Sequence, residues 1–105
     1  MLAIDDLMDE FMREDGLFFG LHQRQFDPVA AERALQILRR VEIGADHGAN
    51  YRLVDLLFNA QVELSTYAYR NRDDQAFARY DGLLFFEIAE RFNAAGRLGE
   101  TLRGN

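Results

Sequence analysis

The fold of this chain is decided by residues 51–71, YRLVDLLFNAQVELSTYAYRN. Drawn as a helix, this stretch carries apolar side chains on nearly every side, among them Leu53, Leu57 and Leu64. A helix that is apolar all round is normally buried at the centre of a domain. Asn50 lies where its side chain can cap the first turn. The sequence therefore predicts a central, buried helix over residues 51–71.

Aspartates mark the starts of the two helices predicted on either side of this segment. Asp27 offers an N-cap oxygen, and Pro28, the only proline, suits the first helical position because no N–H partner is needed there. Apolar residues at helical spacing then predict a helix over residues 28–43. After a polar break, a capping aspartate begins a helix predicted over residues 74–95.

The first 25 residues allow two interpretations. Leu7 and Phe11 belong to an apolar stripe at helical spacing. Continued at the same spacing, this stripe favours a single helix over residues 3–25. The alternative breaks the helix at Gly16 and leaves residues 17–19 as a connector packed on the core.

A weak internal repeat relates the two halves of the chain at an offset of 46 residues, which aligns Leu7 with Leu53. The same offset aligns the capping aspartates Asp27 and Asp73. The implied picture is two helical hairpins, each made of a long helix, a tight turn and a second helix. The predicted fold class is therefore all-α, a four-helix antiparallel bundle.

Length and composition predict one soluble domain. A chain of 105 residues ordinarily forms a single domain, placed here over residues 1–96, with Gly96 ending the last helix and residues 97–105 forming a flexible tail. The absence of cysteine excludes disulfides and thiolate sites. No signal peptide or membrane-spanning run is visible, so a cytoplasmic location without membrane contact is expected. All twelve basic side chains are arginine, as GC-rich bacterial or phage coding would produce.

Negative charge is concentrated in the first fifteen residues. Six acids and one arginine there contribute about −5 to the net charge of −6. This balance disfavours direct nucleic-acid binding, which needs a basic surface, and favours a basic protein surface as the partner, for example that of a nucleic-acid-binding protein. The residues predicted to bind this partner are Asp5, Asp6, Asp9, Glu10, Glu14, Asp15, Phe18 and Phe19.

The same acids also allow a purely structural interpretation. Asp5 and Asp6 suit the positive end of a helix dipole. Asp9 and Arg13 have the i,i+4 spacing of an ion pair on a solvated helix face. Both interpretations of the acidic segment stay open on the sequence alone.

No catalytic, cofactor or metal site is predicted. Only His22 and His47 can titrate near neutral pH. His47 lies beside Asp46 in a loop where a general base could be placed, but no serine or threonine nucleophile has a visible partner. The carboxylates Glu63, Glu87 and Glu90 lack the Glu-x-x-His pairs of di-metal helical bundles. Glu87 instead has the i,i+4 spacing of an ion pair with Arg91.

The function predicted from these features is non-catalytic protein binding. Size, acidity and helicity are similar to those of inhibitors or adaptors such as immunity proteins, antitoxins and phage anti-defence proteins. One alternative is a small-ligand-binding domain or minor enzyme with a pocket between the hairpins. Another is a homodimer held by exposed aromatic side chains, since Phe18-Phe19 and Phe85-Phe86 form adjacent pairs.

Overall fold

The computed structural model describes the backbone of residues 3–43 and 47–102 and the side chains of residues 3–43 and 51–95. Within these ranges the chain is helical and contains no β-strand, which confirms the all-α fold class. The helices are α1 (Ala3–Met12), α2 (Leu17–His22), α3 (Pro28–Arg40), α4 (His47–Arg70) and α5 (Gln75–Leu102). The four longer helices form the bundle, and α2 is a short addition of six residues.

The bundle is built on a hairpin of α4 and α5. Helix α3 packs against α5, α2 packs against α4, and α1 packs mainly on α3 and α2. One side of the hairpin is therefore covered by the first forty residues. All five helices contribute to a single core, whose largest fully buried apolar side chains are Leu7, Leu17, Phe18, Leu35, Leu38, Leu57, Leu64, Leu84 and Ile88.

Helix α4 is buried on one side only. Leu53, Leu57 and Leu64 belong to the core, whereas Phe58 is 57% exposed and Tyr69 is 73% exposed. The prediction of a helix buried all round is therefore wrong for the outer side of α4. The predicted cap is also wrong, because α4 begins at His47 and includes residue 50.

The chain breaks between α1 and α2, so the prediction of one helix over residues 3–25 is wrong. Gly16 is buried in the break, and a Cβ at this position would lie only 2.5 Å from the carbonyl oxygen of Glu10. Only a residue without a side chain can pass so close to the end of α1. The structure is nearer to the alternative, except that residues 17–19 are helical rather than a connector.

Helix α2 ends in a tight turn with a left-handed residue. Arg24 has φ 62°, and its N–H donates to the carbonyl of Leu21 while the N–H of Gln25 donates to that of Gly20. This pair of hydrogen bonds is the Schellman arrangement, in which glycine is the usual left-handed residue. The turn directs the chain into α3.

The predicted starts of α3 and α5 are confirmed to within one residue. The side chain of Asp27 accepts a hydrogen bond of 2.9 Å from the N–H of Val29, and that of Asp74 accepts one of 3.0 Å from the N–H of Phe77. The predicted ends are wrong. Helix α3 stops at Arg40 rather than near residue 43, and α5 continues through Gly96 to Leu102.

The 46-residue repeat is not confirmed. The aspartate that caps α5 is Asp74, one position beyond the residue aligned with Asp27. The break at residues 13–16 aligns with residues 59–62, which lie inside α4. The extent of the domain and the flexibility of the tail stay predictions.

Substituting Gly82 with alanine is expected to stabilise the protein by about 0.5–1 kcal/mol. Gly82 lies inside α5, is exposed, and has no atom within 4 Å of the position that a Cβ would take. Alanine therefore gains helix propensity without a clash. Urea denaturation of the two proteins measures the difference, and an equal or lower free energy of unfolding would contradict this assignment.

Candidate functional site

Glu10, one of the predicted partner-binding residues, is buried and binds within the protein. Its side chain is 2% exposed. One carboxylate oxygen accepts a hydrogen bond of 2.5 Å from Nε of Arg33, and the other accepts one of 2.7 Å from the N–H of Leu17. The prediction that Glu10 contacts a partner is therefore wrong, because the α1–α2 break folds over it.

The Glu10–Arg33 ion pair joins three elements. The carboxylate of Glu10 caps the first N–H of α2, and Nη2 of Arg33 donates to the backbone oxygen of Asp15 at 2.8 Å. The hydrogen bond that Arg33 donates to Glu10 raises the pKa of Arg33 above its ordinary value, so the guanidinium stays charged. This pair holds α1, the break and α3 together.

Phe18 is also withdrawn from the predicted surface. It is 1% exposed, and its ring stacks on that of Phe11 with 4.5 Å between centroids. The prediction that Phe18 binds a partner is wrong because α2 turns this side chain into the core. Phe19, its neighbour on the helix, is half-buried and remains accessible.

The charge of the acidic segment is largely matched by arginines. Three further acids pair with arginines at distances of 3.0–3.9 Å: Asp5 with Arg52, Asp6 with Arg40, and Asp15 with Arg13. The predicted pairing of Arg13 with Asp9 is wrong, because the guanidinium binds Asp15, two residues further along the chain. These pairs are exposed or half-exposed and contribute little stability individually, but they lower the local negative charge.

Two of the predicted acids remain without an ion pair to any described residue, namely Asp9 and Glu14. Asp9 lies beside Arg13 and Arg33 in a shallow groove of mixed charge. An open groove of about 580 Å³ brings together three predicted residues, Glu14, Asp15 and Phe19, with Gly20, Gln23 and Gln25. We call this groove the N-terminal groove.

A second surface lies on the outer side of the α4–α5 hairpin, opposite the first three helices. Val62 lies midway between the buried Ala60 and Leu64, and so points away from the core. Phe86 lies midway between Leu84 and Ile88 on α5 in the same way. We call the exposed apolar residues on this side the hairpin face: Tyr51, Phe58, Val62, Tyr69, Phe85 and Phe86.

The two helices present this face at the same level. The rings of Tyr67 and Phe77, 4.6 Å apart, fix the antiparallel register of α4 and α5. Phe58 precedes Tyr67 by nine residues and Phe86 follows Phe77 by nine, so this register puts Phe58 and Phe86 at about the same level along the hairpin. An open groove of about 440 Å³ continues the face between Phe58 and Phe92.

Most of the hairpin face was missed by reasoning from the sequence. The sequence shows Phe85 and Phe86 as an adjacent aromatic pair, but its apolar pattern predicts a buried helix for the α4 residues. The available signal was the spacing of Tyr51, Phe58 and Tyr69, which share one side of α4. Core positions on the other side masked this signal, because both sides are apolar.

Three of the residues considered for catalysis or metal binding, His22, Glu63 and Glu87, lie in two separate polar contacts. His22 is exposed, with Nδ1 3.2 Å from a carboxylate oxygen of Glu63. Glu87 contacts Arg39 at 3.4 Å and Arg91 more closely, which confirms the predicted Glu87–Arg91 pair. Within the described residues no three histidine or acidic side chains are grouped as metal ligands. The side chain of residue 47 lies outside the described residues.

A half-buried hydrogen bond at the α4–α5 turn is expected to make stability sensitive to alkaline pH. The hydroxyl of Tyr67 donates to Asp74 at 2.6 Å. Burial and this hydrogen bond raise the pKa of Tyr67 to about 12, and the same bond lowers the pKa of Asp74. The tyrosine contribution is therefore complete below the ordinary pKa of about 10 and is lost as the pH rises towards about 12.

We expect the Tyr67→Phe variant to lose less stability than the wild type between about pH 10 and about 12, with a difference of about 2 kcal/mol. At neutral pH the variant is less stable, because the hydroxyl no longer binds Asp74. Urea denaturation at several pH values measures both effects. Tyr69→Phe, at an exposed position, is the control and should follow the wild type. Equal pH dependence in Tyr67→Phe and wild type would contradict the assignment.

In the part of the chain that the structure describes, no helix has both the length and the apolar character needed to cross a membrane. No protein-family model, curated protein or solved structure matched this chain.

Proposed function

We propose that this chain is a small, acidic, non-catalytic protein-binding module, and that it binds through the hairpin face. The observation that supports the proposal is the collection of large exposed apolar side chains on one side of α4 and α5, where Phe58 is 57% exposed and Phe86 is 59% exposed. Aromatic side chains on a monomer surface are typical anchors of protein interfaces.

The size of the face is adequate for protein binding. From Tyr51 to Tyr69 the rise of α4 is about 27 Å, and two adjacent helices are about 20 Å wide. Covering this area on both partners would bury roughly 1,000 Å², which is about the minimum expected of a biological interface. Exposed aromatics across that area are costly in a free monomer and are stabilised by a partner that excludes water.

The small-ligand alternative has less support. The grooves along the described surface are open to solvent, whereas small-molecule sites enclose most of their ligand and direct a few polar atoms towards it. The groove beside Phe58 is lined mainly by apolar side chains. A flat apolar surface of this kind suits a protein better than a small polar metabolite.

Affinity capture from cells that express the protein tests the proposal with two matched variants. Val62→Glu introduces a carboxylate on the hairpin face, and Val29→Glu introduces the same group at a more exposed position on α3 (44% and 72% exposed, respectively). We expect wild type and Val29→Glu to capture the same partner, or further copies of the chain, and Val62→Glu to lose it. Equal capture by both variants would contradict the hairpin face as the binding site.

A second candidate is an inhibitor or adaptor that occludes a basic partner surface. The observation that favours it is the N-terminal groove, where the acids Glu14 and Asp15 flank Phe19. This arrangement combines charge with an aromatic contact, and charged residues of this kind mainly accelerate association. The ion pairs of Asp5 and Asp6 and the burial of Glu10 leave fewer acids for this role than the sequence suggests.

A variant with Asp9→Asn, Glu14→Gln and Asp15→Asn tests this second candidate. If the acids dock on a basic surface, the variant should associate more slowly with the captured partner, and the difference should shrink as salt is raised. Dissociation should change less than association. An unchanged association rate at low salt would exclude the acidic mechanism.

A further inference from the structure

We propose that the partner of the hairpin face is a second copy of this chain, docked with the two α4 helices antiparallel across a two-fold axis. This inference rests on the proposed function, since it identifies the occupant of the same surface. A two-fold interface must be self-complementary, with each residue of a contacting pair present on both copies. The apolar residues of α4 satisfy that condition.

The exposed apolar residues on α4 have the same spacing from either end of the helix. Tyr51, Phe58, Val62 and Tyr69 are separated by seven, four and seven residues. At 3.6 residues per turn, all four lie within about 40° of one another around the helix. When a second copy is reversed and centred at residue 60, Tyr51 faces Tyr69, and Phe58 faces Val62, in both halves of the interface.

Helix α5 provides room for this contact. Gly82 follows Phe77 by five residues, and Val62 precedes Tyr67 by five, so this register puts Gly82 at about the level of Val62 along the hairpin. Gly82 is exposed and has open space above it. The reversed arrangement brings Phe58 of one copy against Val62 and the gap at Gly82 of the other, so a large side chain meets a small one twice.

Charges along α4 do not oppose this arrangement. With the same centre, Arg52 faces Ala68, and Asp55 faces Ser65. No two like charges of the described α4 side chains are placed opposite each other, although the whole chain carries a net charge of −6. The acidic N-terminal segment belongs to the covered side of the hairpin, away from the axis. Repulsion between copies is therefore a long-range effect that salt screens.

Sedimentation equilibrium over a range of protein concentrations tests the inference. We expect wild type and Val29→Glu to dimerise. Val62→Glu should raise the dissociation constant of the dimer at least about tenfold, because the symmetric interface would bury two carboxylates, one from each copy. Circular dichroism checks that both variants remain helical. A wild type that stays monomeric at millimolar concentration overturns the inference, whatever the capture experiment shows for other partners.

Single-cysteine cross-linking tests the antiparallel register, since the natural chain has no cysteine. Phe58→Cys and Val62→Cys proteins, differing in mass by an affinity tag, are mixed and oxidised mildly. The expected product is the mixed disulfide between positions 58 and 62. Dominant 58–58 and 62–62 disulfides, as from a parallel pair, would overturn the inference. Loss of capture in Val62→Glu together with a monomeric wild type would leave the proposed function standing and exclude only the second copy.

Discussion

Replacing Arg33 with methionine is expected to lower the free energy of unfolding by about 2–4 kcal/mol. Arg33 is the cation that pairs with the buried carboxylate of Glu10. Methionine preserves much of the side-chain volume but leaves that carboxylate with one hydrogen bond, from the N–H of Leu17. A buried charge without a counter-ion is among the larger sources of destabilisation in proteins.

Two further variants separate the ion pair from general surface charge. Arg13→Met removes the arginine of an exposed pair with Asp15, and it should change stability by less than about 1 kcal/mol. Glu10→Gln combined with Arg33→Met should recover part of the loss, because the neutral amide is less costly to bury. Urea denaturation measures all three. Similar losses in Arg33→Met and Arg13→Met would show that the Glu10–Arg33 pair has no special role.

The Gly16→Ala variant is expected to lose about 2–4 kcal/mol of stability. The added Cβ would lie 2.5 Å from the backbone oxygen of Glu10 and 2.8 Å from its carbonyl carbon. Because these are backbone atoms, the clash is relieved only by moving the whole α1–α2 break. That movement would also pull Glu10 away from Arg33.

The same substitution at Gly82 is the control. It adds the same methyl group in open space and is expected to stabilise the helix. If urea denaturation shows that Gly16→Ala lowers the free energy of unfolding and Gly82→Ala raises it, the close approach of Gly16 to Glu10 is the cause of the loss. A neutral or stabilising effect of Gly16→Ala would contradict the tight break between α1 and α2.

The sequence was sufficient to predict the elements whose signals are local. Asp27 and Pro28 begin α3 as expected, and Asp74 caps α5. Those signals are local because a capping side chain binds an N–H two or three residues away. The end of α5 was not predicted, because the helix continues through Gly96. Glycine lowers helix propensity by only about 1 kcal/mol, and this does not always end a helix.

Contacts that join distant parts of the chain could not be predicted. Glu10 resembled its acidic neighbours in the sequence, and its burial depends on Arg33, which is 23 residues away. The burial of Phe18 depends in the same way on the break at Gly16. The sequence predicts a buried outer side of α4 because an exposed apolar residue has the same sequence signal as one that faces the core.

Hydroxyl-radical footprinting of the captured complex tests most directly the proposal that the hairpin face is the binding surface. Oxidation of the chain in the complex is compared with oxidation of the dilute free chain. We predict protection of Phe58, Tyr69 and Phe86, with Val29 on α3 unchanged. Protection confined to the N-terminal groove around Phe19, with the hairpin face equally oxidised in both states, would contradict the claim.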